Sequence, residues 1–254
     1  MTLNIRTITA DLPSRIIIHG QEGVGKTSIA ARFPNPVFIR TEDGCPVGVE
    51  MQTFPFCETY EAVKAALIDL AQEEHDFQTV VIDSADPLEA LIWQDVCTTN
   101  KWSSIEAPGY GKGYVEADNW WKEITTALDY LRRERGMTAL ILAHSNVERI
   151  EDPRVPSYTS YQIRLHKRGR GIMQDWADAI GFLAHDINVT AEEQGFNKKR
   201  NRADGGSTRW IHWEARPSFT AKSRYSLPPK MMVAKDFDFA GQLGPHLPAP
   251  AGSR

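Results

Sequence analysis

The stretch Gly20-Gln21-Glu22-Gly23-Val24-Gly25-Lys26-Thr27 fits the pattern Gly-x4-Gly-Lys-Thr. An apolar run over residues 15–19 precedes it, and a helix-like run over residues 27–32 follows it. A strand that ends in such a turn lets backbone N–H groups converge on phosphate oxygens, and the next helix N-terminus adds partial positive charge. The stretch, together with the next residue, Ser28, therefore predicts a loop that binds the phosphates of ATP.

Metal binding is predicted from the end of this loop together with a second strand. Lys26 is placed to reach the β- and γ-phosphates, and the Thr27 hydroxyl is placed to hold Mg²⁺. The apolar strand of residues 77–82 ends in Asp83. Because open parallel sheets bind ligands at the carboxyl ends of their strands, we predict that Asp83 holds Mg²⁺ through a water or through Thr27. A capping aspartate without a metal role is the alternative.

Hydrolysis of ATP also needs a group that activates the attacking water. Glu42 and Asp43 follow the predicted strand of residues 36–40, and we predict Glu42 as the catalytic base. Asp43 is the competing assignment, and two solvated turn residues are the alternative to both. His144 follows the apolar strand of residues 139–143, where it either senses the γ-phosphate or is an ordinary, satisfied polar residue.

Short apolar runs alternate with amphipathic stretches, which predicts an α/β fold with a mostly parallel central sheet flanked by helices. Strands are predicted near residues 15–19, 36–40, 78–83, 138–143 and 179–184, and helices over 26–33, 59–74, 86–98, 117–135 and 171–176. Residues 187–189 and 208–213, separated by a polar turn over 197–206, predict an antiparallel extension at the sheet edge. We assign residues 1–240 to one domain and predict a disordered Pro/Gly-rich tail over 241–254.

The composition fits a globular protein, with 41% hydrophobic and 24% charged residues. No apolar run approaches the roughly 20 residues that cross a bilayer. The N-terminus lacks the apolar core of a secretory signal, and the three cysteines lack metal-ligand spacing. We therefore expect a cytoplasmic protein with no membrane partner. The net charge is −4, but residues 101–254 hold 23 Lys and Arg against 18 Asp and Glu, so basic clusters could contact phosphates there.

The order of these motifs resembles the RecA-like core ATPases, and more closely the AAA-type phage nucleotide-binding proteins of the Sak group, which anneal single strands. The resemblance is carried by residues 20–27, 38–42, 80–83, 110–114 and 221–225. It implies a RecA-like P-loop NTPase core and a DNA-dependent ATPase of phage recombination in the host cytoplasm. It also implies a homo-oligomer on single-stranded DNA that promotes annealing or strand pairing, with a single-strand DNA-binding protein as a further partner.

The resemblance gives a role to two late cations, Lys222 and Arg224. In RecA-like rings and filaments, basic residues at this position reach the nucleotide of a neighbouring subunit and stabilise charge on the transferring phosphoryl group. ATP would then lie at subunit interfaces. Ser223, Tyr225 and Ser226 depart from the Lys-Asn-Arg-Phe-Gly stretch of RadA-type proteins, and a solvated basic loop is the alternative.

Two segments lie where RecA-like proteins place their DNA-binding loops. The first, residues 103–114, offers aromatic faces to bases and a cation to phosphate through Tyr110, Lys112 and Tyr114. The second runs from His144 to about residue 170 and ends in four cations within seven residues: Arg164, Lys167, Arg168 and Arg170. Solvated surface loops are the alternative for both segments.

Two other functions share the same nucleotide motifs. A motor-type ATPase, either a helicase or a packaging enzyme, has this core, but no accessory domain or further helicase motif is evident. A small-molecule kinase would carry an arginine-rich lid, which residues 166–170 could imitate. A monomeric kinase has no need of Lys222 and Arg224, so we favour the DNA-dependent ATPase.

Overall fold

A computed structural model describes residues 12–194, 198–234 and 236–248, with the backbone alone over 187–194, 198–205 and at 207. The described residues form ten strands and five α-helices. In chain order these are β1 (Arg15–Gly20), α1 (Lys26–Ala30), β2 (Pro36–Arg40), β3 (Gln52–Thr53), α2 (Tyr60–Gln72), β4 (Thr79–Asp83), α3 (Ala85–Asn100), α4 (Lys112–Glu134), β5 (Thr138–Ile150), β6 (Tyr158–Ile163), α5 (Lys167–Trp176), β7 (Ala179–Gln194), β8 (Lys198–His212), β9 (Lys222–Ser223) and β10 (Lys230–Val233).

The central sheet has the strand order β10-β8-β7-β1-β5-β4-β2-β3. Neighbours from β7 to β3 pair in parallel. Antiparallel pairing adds β8 to β7, β10 to β8, β9 to β7 and β6 to β5. The predicted α/β fold, with a mostly parallel central sheet and helices, is therefore confirmed.

The parallel register brings the predicted site residues to one edge of the sheet. Gly20, at the end of β1, lies opposite His144 of β5 and Leu183 of β7. Asp83, at the end of β4, lies opposite Arg40, at the end of β2. Because these strands run in the same direction, the residues that follow them meet at a single carboxyl edge.

Both faces of the sheet are buried, which explains why its central strands are apolar at nearly every position. One face packs against α2, α3, α4 and α5 through a core that includes Ile17, Ile39, Val80, Ile82, Ile141 and the fully buried Trp121. The other face packs against α1 and the C-terminal segment through a core that includes Ile16, Ile18, Phe38, Val81, Leu140 and Trp213. No helix within the described residues combines the length and apolar character that a membrane span requires.

Two helices begin earlier than predicted. Helix α4 begins at Lys112, not residue 117, and α5 begins at Lys167, not residue 171. Each of these helices has glycine near its start, and glycine has a low helix propensity, so the sequence predicts a later beginning. Gly169 is needed in α5 because a β-carbon there would lie 2.6 Å from the indole nitrogen of Trp121.

Strands replace two segments that the sequence predicts as loop or turn. Strand β5 continues past His144 to Ile150 and pairs with β6, so the segment after His144 is a hairpin followed by α5. The predicted polar turn over 197–206 is strand β8 from residue 198 onward, and residue 197 lies outside the described residues. In both places the backbone hydrogen bonds of strand pairing stabilise a β-strand, although the polar composition predicts a loop or turn.

The segment predicted as a disordered tail begins with ordered structure. Residues Phe239–Leu243 form a π-helical turn and Gly244–His246 a 3-10 turn. The carboxylate of Asp238 accepts hydrogen bonds from the backbone N–H groups of Ala240 and Gly241. Leu243 is buried in the core on the α1 side of the sheet. This apolar contact orders the segment, although its Pro/Gly-rich composition predicts disorder. Residues 249–254 lie outside the described residues.

Candidate functional site

The glycine-rich loop joins β1 to α1 and lines a cleft at the carboxyl edge of the sheet. Gly23 and Gly25 have φ angles of 71° and 95°, a left-handed conformation that favours glycine. The cleft has a volume of about 350 Å³. It is lined by Gly23, Gly25, Lys26, Thr27, Ser28, Glu42, Gly44, Cys45, Pro46, Asp83 and His144. The structure thus brings the loop, both candidate acids and the histidine together around one space.

Lys26 is the cation of this cleft, and it is almost fully buried. Its Nζ donates to the carbonyl oxygens of Gly20, at 3.2 Å, and Gln21, at 3.0 Å. An ammonium has three donors, so one remains for a phosphate oxygen. Burial lowers the pKa of Lys26, and the nearby carboxylates of Glu42 and Asp83 oppose that shift.

The predicted magnesium ligands lie side by side. The Thr27 hydroxyl donates to Asp83 Oδ2 at 2.8 Å, which ties the start of α1 to the end of β4. Burial raises the pKa of Asp83, and the hydrogen bond from Thr27 opposes the rise. A hydroxyl and a carboxylate are hard oxygen donors of the kind that Mg²⁺ binds together with phosphate oxygens. This pair therefore fits Mg²⁺, with Thr27 and Asp83 as the residues that would hold the ion.

Glu42 is held beside the cleft by a connection between β2 and β4. The Thr41 hydroxyl donates to the carbonyl oxygen of Ser84 at 2.7 Å and accepts from the Ser84 N–H at 3.0 Å. The Ser84 hydroxyl in turn donates to Glu42 Oε2 at 2.9 Å. One carboxylate oxygen of Glu42 is thereby oriented, and the other is left for a water molecule.

Asp43, the competing base, points away from this arrangement. Its side chain is 92% exposed and pairs with Arg40 at 3.1 Å. It does not line the cleft, whereas Glu42 does. The geometry therefore favours Glu42 as the base.

His144 belongs to a charged network that reaches the phosphate loop. Its backbone N–H and its Nδ1 both contact the Asp86 carboxylate, at 3.0 Å and 2.9 Å. Asp86 Oδ2 also accepts from Arg164 at 2.8 Å, and Arg164 donates to Glu22 of the loop at 2.9 Å. Burial alone would raise the pKa of Asp86, but the hydrogen bonds from His144 and Arg164 outweigh it and hold that pKa below its ordinary value.

Sequence reasoning missed three residues of this site: Thr41, Ser84 and Asp86. Thr41 and Ser84 adjoin the predicted acids, but their mutual hydrogen bonds depend on β2 pairing with β4. Asp86 carries a weak signal, because an acid in the first turn of α3, the helix that follows β4, faces the carboxyl edge of the sheet.

Most of the predicted DNA-binding cations are paired with acids in the structure. Arg164 pairs with Glu22 and Asp86, Arg168 with Asp118, and Arg170 with Glu148. Tyr114 stacks on His166 with ring centroids 4.0 Å apart, and its hydroxyl donates to Glu106. The exposed members of the predicted set without such contacts are Tyr110, Lys112 and Lys167.

The same contacts bring the two predicted DNA-binding segments together. Tyr114 comes from the first segment and His166 from the second, and Arg168 of the second pairs with Asp118 on α4. Arg164 links this surface to Glu22 in the phosphate loop. The structure therefore places both segments beside each other and next to the cleft.

Lys222 and Arg224 lie away from the phosphate loop of their own chain. Lys222 pairs with Ile180 near the start of β7, whereas the loop follows the other end of the neighbouring β1. Lys222 Nζ donates to the carbonyl oxygen of Gln174 at 2.7 Å, and Arg224 Nη1 contacts Asp178 at 3.2 Å. Neither cation is placed to serve the cleft of the same chain.

The parallel sheet, the loop between β1 and α1, the buried lysine and the Thr27–Asp83 pair define a P-loop nucleoside triphosphatase. The family model described as "AAA domain" matches residues 12–225, and the chain belongs to this family. Membership indicates a nucleotide-binding ATPase. No curated protein matches the chain.

Proposed function

We propose that this protein hydrolyses ATP with Mg²⁺ in the cleft at the carboxyl edge of its sheet. The observation that carries the proposal is the convergence of Lys26, the Thr27–Asp83 pair and the oriented Glu42 carboxylate around one space. A cation for the phosphates, oxygen ligands for a metal and a base for water are the groups that phosphoryl transfer to water requires.

The residues of the cleft divide the work of hydrolysis. Loop N–H groups and Lys26 hold the β- and γ-phosphates, and Thr27 and Asp83 would hold the ion that neutralises developing charge. Glu42 orients a water molecule and takes its proton as the water oxygen bonds to the γ-phosphorus. The bond from that phosphorus to the β,γ-bridging oxygen breaks, and ADP and phosphate are released.

The base is tested by replacing Glu42 with glutamine. Because the amide cannot accept the proton of water, Glu42→Gln is expected to slow ATP turnover by about 10²- to 10⁴-fold while the Kd for ATP changes little. Steady-state phosphate release and calorimetric titration with ATP measure the two quantities.

Asp43→Asn is the matched control, since it makes the same chemical change one residue away on an exposed side chain. It should hydrolyse ATP at the wild-type rate. Normal turnover by Glu42→Gln together with a slow Asp43→Asn would show that the base is Asp43.

We propose further that single-stranded DNA is the partner that regulates this ATPase. The support is the surface formed by residues 103–114 and 164–170, which adjoins the cleft through Arg164. Tyr110 is fully exposed there, and Lys112 and Lys167 are exposed cations. An aromatic face with nearby cations suits single-stranded nucleic acid, because bases stack and phosphates pair with charge. With single-stranded DNA as its partner, the protein would act in DNA recombination, by promoting strand annealing.

The DNA surface is tested with the double variant Tyr110→Ala/Lys167→Ala. Wild-type protein is expected to hydrolyse ATP faster when single-stranded DNA is added. The variant should keep the basal rate and need roughly tenfold or more DNA for half-maximal stimulation, because it loses one stacking face and one phosphate contact.

Tyr130→Ala/Lys122→Ala removes the same two residue types from the exposed part of α4 and serves as the control. It should respond to DNA as the wild type does. The proposed partner would be contradicted if single-stranded DNA did not change the ATPase rate of the wild type. It would also be contradicted if both double variants needed equally more DNA for half-maximal stimulation.

A further inference from the structure

Arg209 of β8 lies against the phosphate loop, although it is far away in sequence. It is opposite His185 of β7 in the antiparallel pairing. Two residues further along the strand, Ile211 packs in the same core as Val24, so Arg209 lies on the face of the sheet that carries the loop. Its Nη1 is 3.4 Å from the carbonyl oxygen of Val24. A β-carbon on Gly25 would lie 2.1 Å from that nitrogen, so the guanidinium rests on the α-carbon of this glycine.

The charge of Arg209 is not neutralised within the part of the chain that the structure describes. No carboxylate there forms an ion pair with it, in contrast to Arg164, Arg168 and Arg224. A guanidinium has five N–H donors and is planar, with two faces. Its hydrogen bond to Val24 uses one donor, so the group retains both charge and surface for a ligand in the loop.

The strand order indicates which end of a nucleotide Arg209 meets. Asp83 and Glu42 follow β4 and β2, on one side of β1, while Arg209 comes from β8, on the other side. The γ-phosphate must lie beside the Thr27–Asp83 pair and the water held by Glu42. The nucleoside end then points away from those acids, toward β7 and β8.

We propose that Arg209 binds the nucleoside end of the nucleotide, with its guanidinium packed against the base and ribose. The inference rests on the proposed function and extends it, since it names a residue that distinguishes a nucleotide from inorganic polyphosphate. A cation packed on an aromatic ring gains more when the contact excludes water, and Arg209 is already partly buried. Arg209 is thus a binding residue that acts in its own chain and takes no part in the bond changes at the γ-phosphate.

The test compares Kd values of three ligands by calorimetry in the presence of Mg²⁺: ATP, ADP and inorganic tripolyphosphate. Arg209→Ala is expected to raise the Kd of ATP and of ADP by roughly 5- to 30-fold and to raise the Kd of tripolyphosphate much less, because that ligand lacks the base and ribose that the guanidinium would contact. Arg209→Gln, which keeps a donor for the Val24 carbonyl, should show the same selective loss and replaces the alanine variant if that variant does not fold. Arg216→Ala removes an exposed arginine paired with Glu214 and should leave all three Kd values unchanged.

Two results would overturn the inference. An equal loss for all three ligands would mean that Arg209 only braces the phosphate loop. A loss for ATP and tripolyphosphate with ADP unaffected would place Arg209 at the γ-phosphate. Wild-type protein that binds none of the ligands would instead refute the proposed function, so the two failures are distinct.

Discussion

Lys26→Ala is expected to reduce ATP hydrolysis below detection while the protein keeps its fold. The change removes the charge that we propose to contact the β- and γ-phosphates, and charge-assisted hydrogen bonds are about twice as strong as neutral ones. The fold should tolerate it, because the ammonium donates to two carbonyl oxygens at the start of the loop and not to a group in either core. Burial already disfavours the charged form of Lys26, so its loss costs little stability.

Phosphate release over a range of ATP concentrations measures the effect, and thermal unfolding checks the fold. Lys64→Ala is the control, since it removes a lysine from α2 whose partner is Glu61 and which lies outside the cleft. Its turnover should equal that of the wild type. Turnover at the wild-type rate by folded Lys26→Ala would refute the assignment of the phosphate loop.

The residues that the sequence identifies are those whose neighbours along the chain carry the signal. The loop of residues 20–27 lies between an apolar run and a helix, and Glu42 and Asp83 each follow an apolar run. A carboxyl-end position depends on strand direction alone, and alternating helices and strands predict that direction. For this reason the sequence predicts the fold class and the cleft residues together.

Contacts between distant elements have no comparable signal. Arg209 and Val24 are 185 positions apart, and their contact depends on the register of β8 against β7. In the basic segment of residues 164–170, the sequence shows the cations but not the acids that pair with them. Its arginines form a cluster in the sequence, yet their partners Glu22, Asp86 and Asp118 come from three other parts of the chain. A count of cations therefore overstates the charge that this segment offers to DNA.

Lys222 and Arg224 provide the sharpest test of an oligomeric ATPase. Within one chain they are displaced from the phosphate loop toward the opposite edge of the sheet, so we propose that they act on the nucleotide of a neighbouring subunit. Each alanine variant should still bind ATP. Each should hydrolyse it about 10³- to 10⁵-fold more slowly, the range for a lost arginine finger. Arg224→Ala should fold, because Asp178 keeps its contacts with Arg15 and Arg132.

The ATPase activity of mixed variants shows whether Lys222 and Arg224 act on the nucleotide of a neighbouring subunit or on that of their own subunit. Arg224→Ala mixed with Lys26→Ala should recover part of the lost activity, because one subunit supplies the intact loop and the other the intact cations. Arg133→Ala is the control: it removes an exposed arginine paired with Asp129 and should need no rescue. If the two inactive variants assemble together and remain inactive, the cations do not act between subunits. The ion pair of Arg224 with Asp178 would then be its whole role, and the oligomeric mechanism would lose its chemical basis.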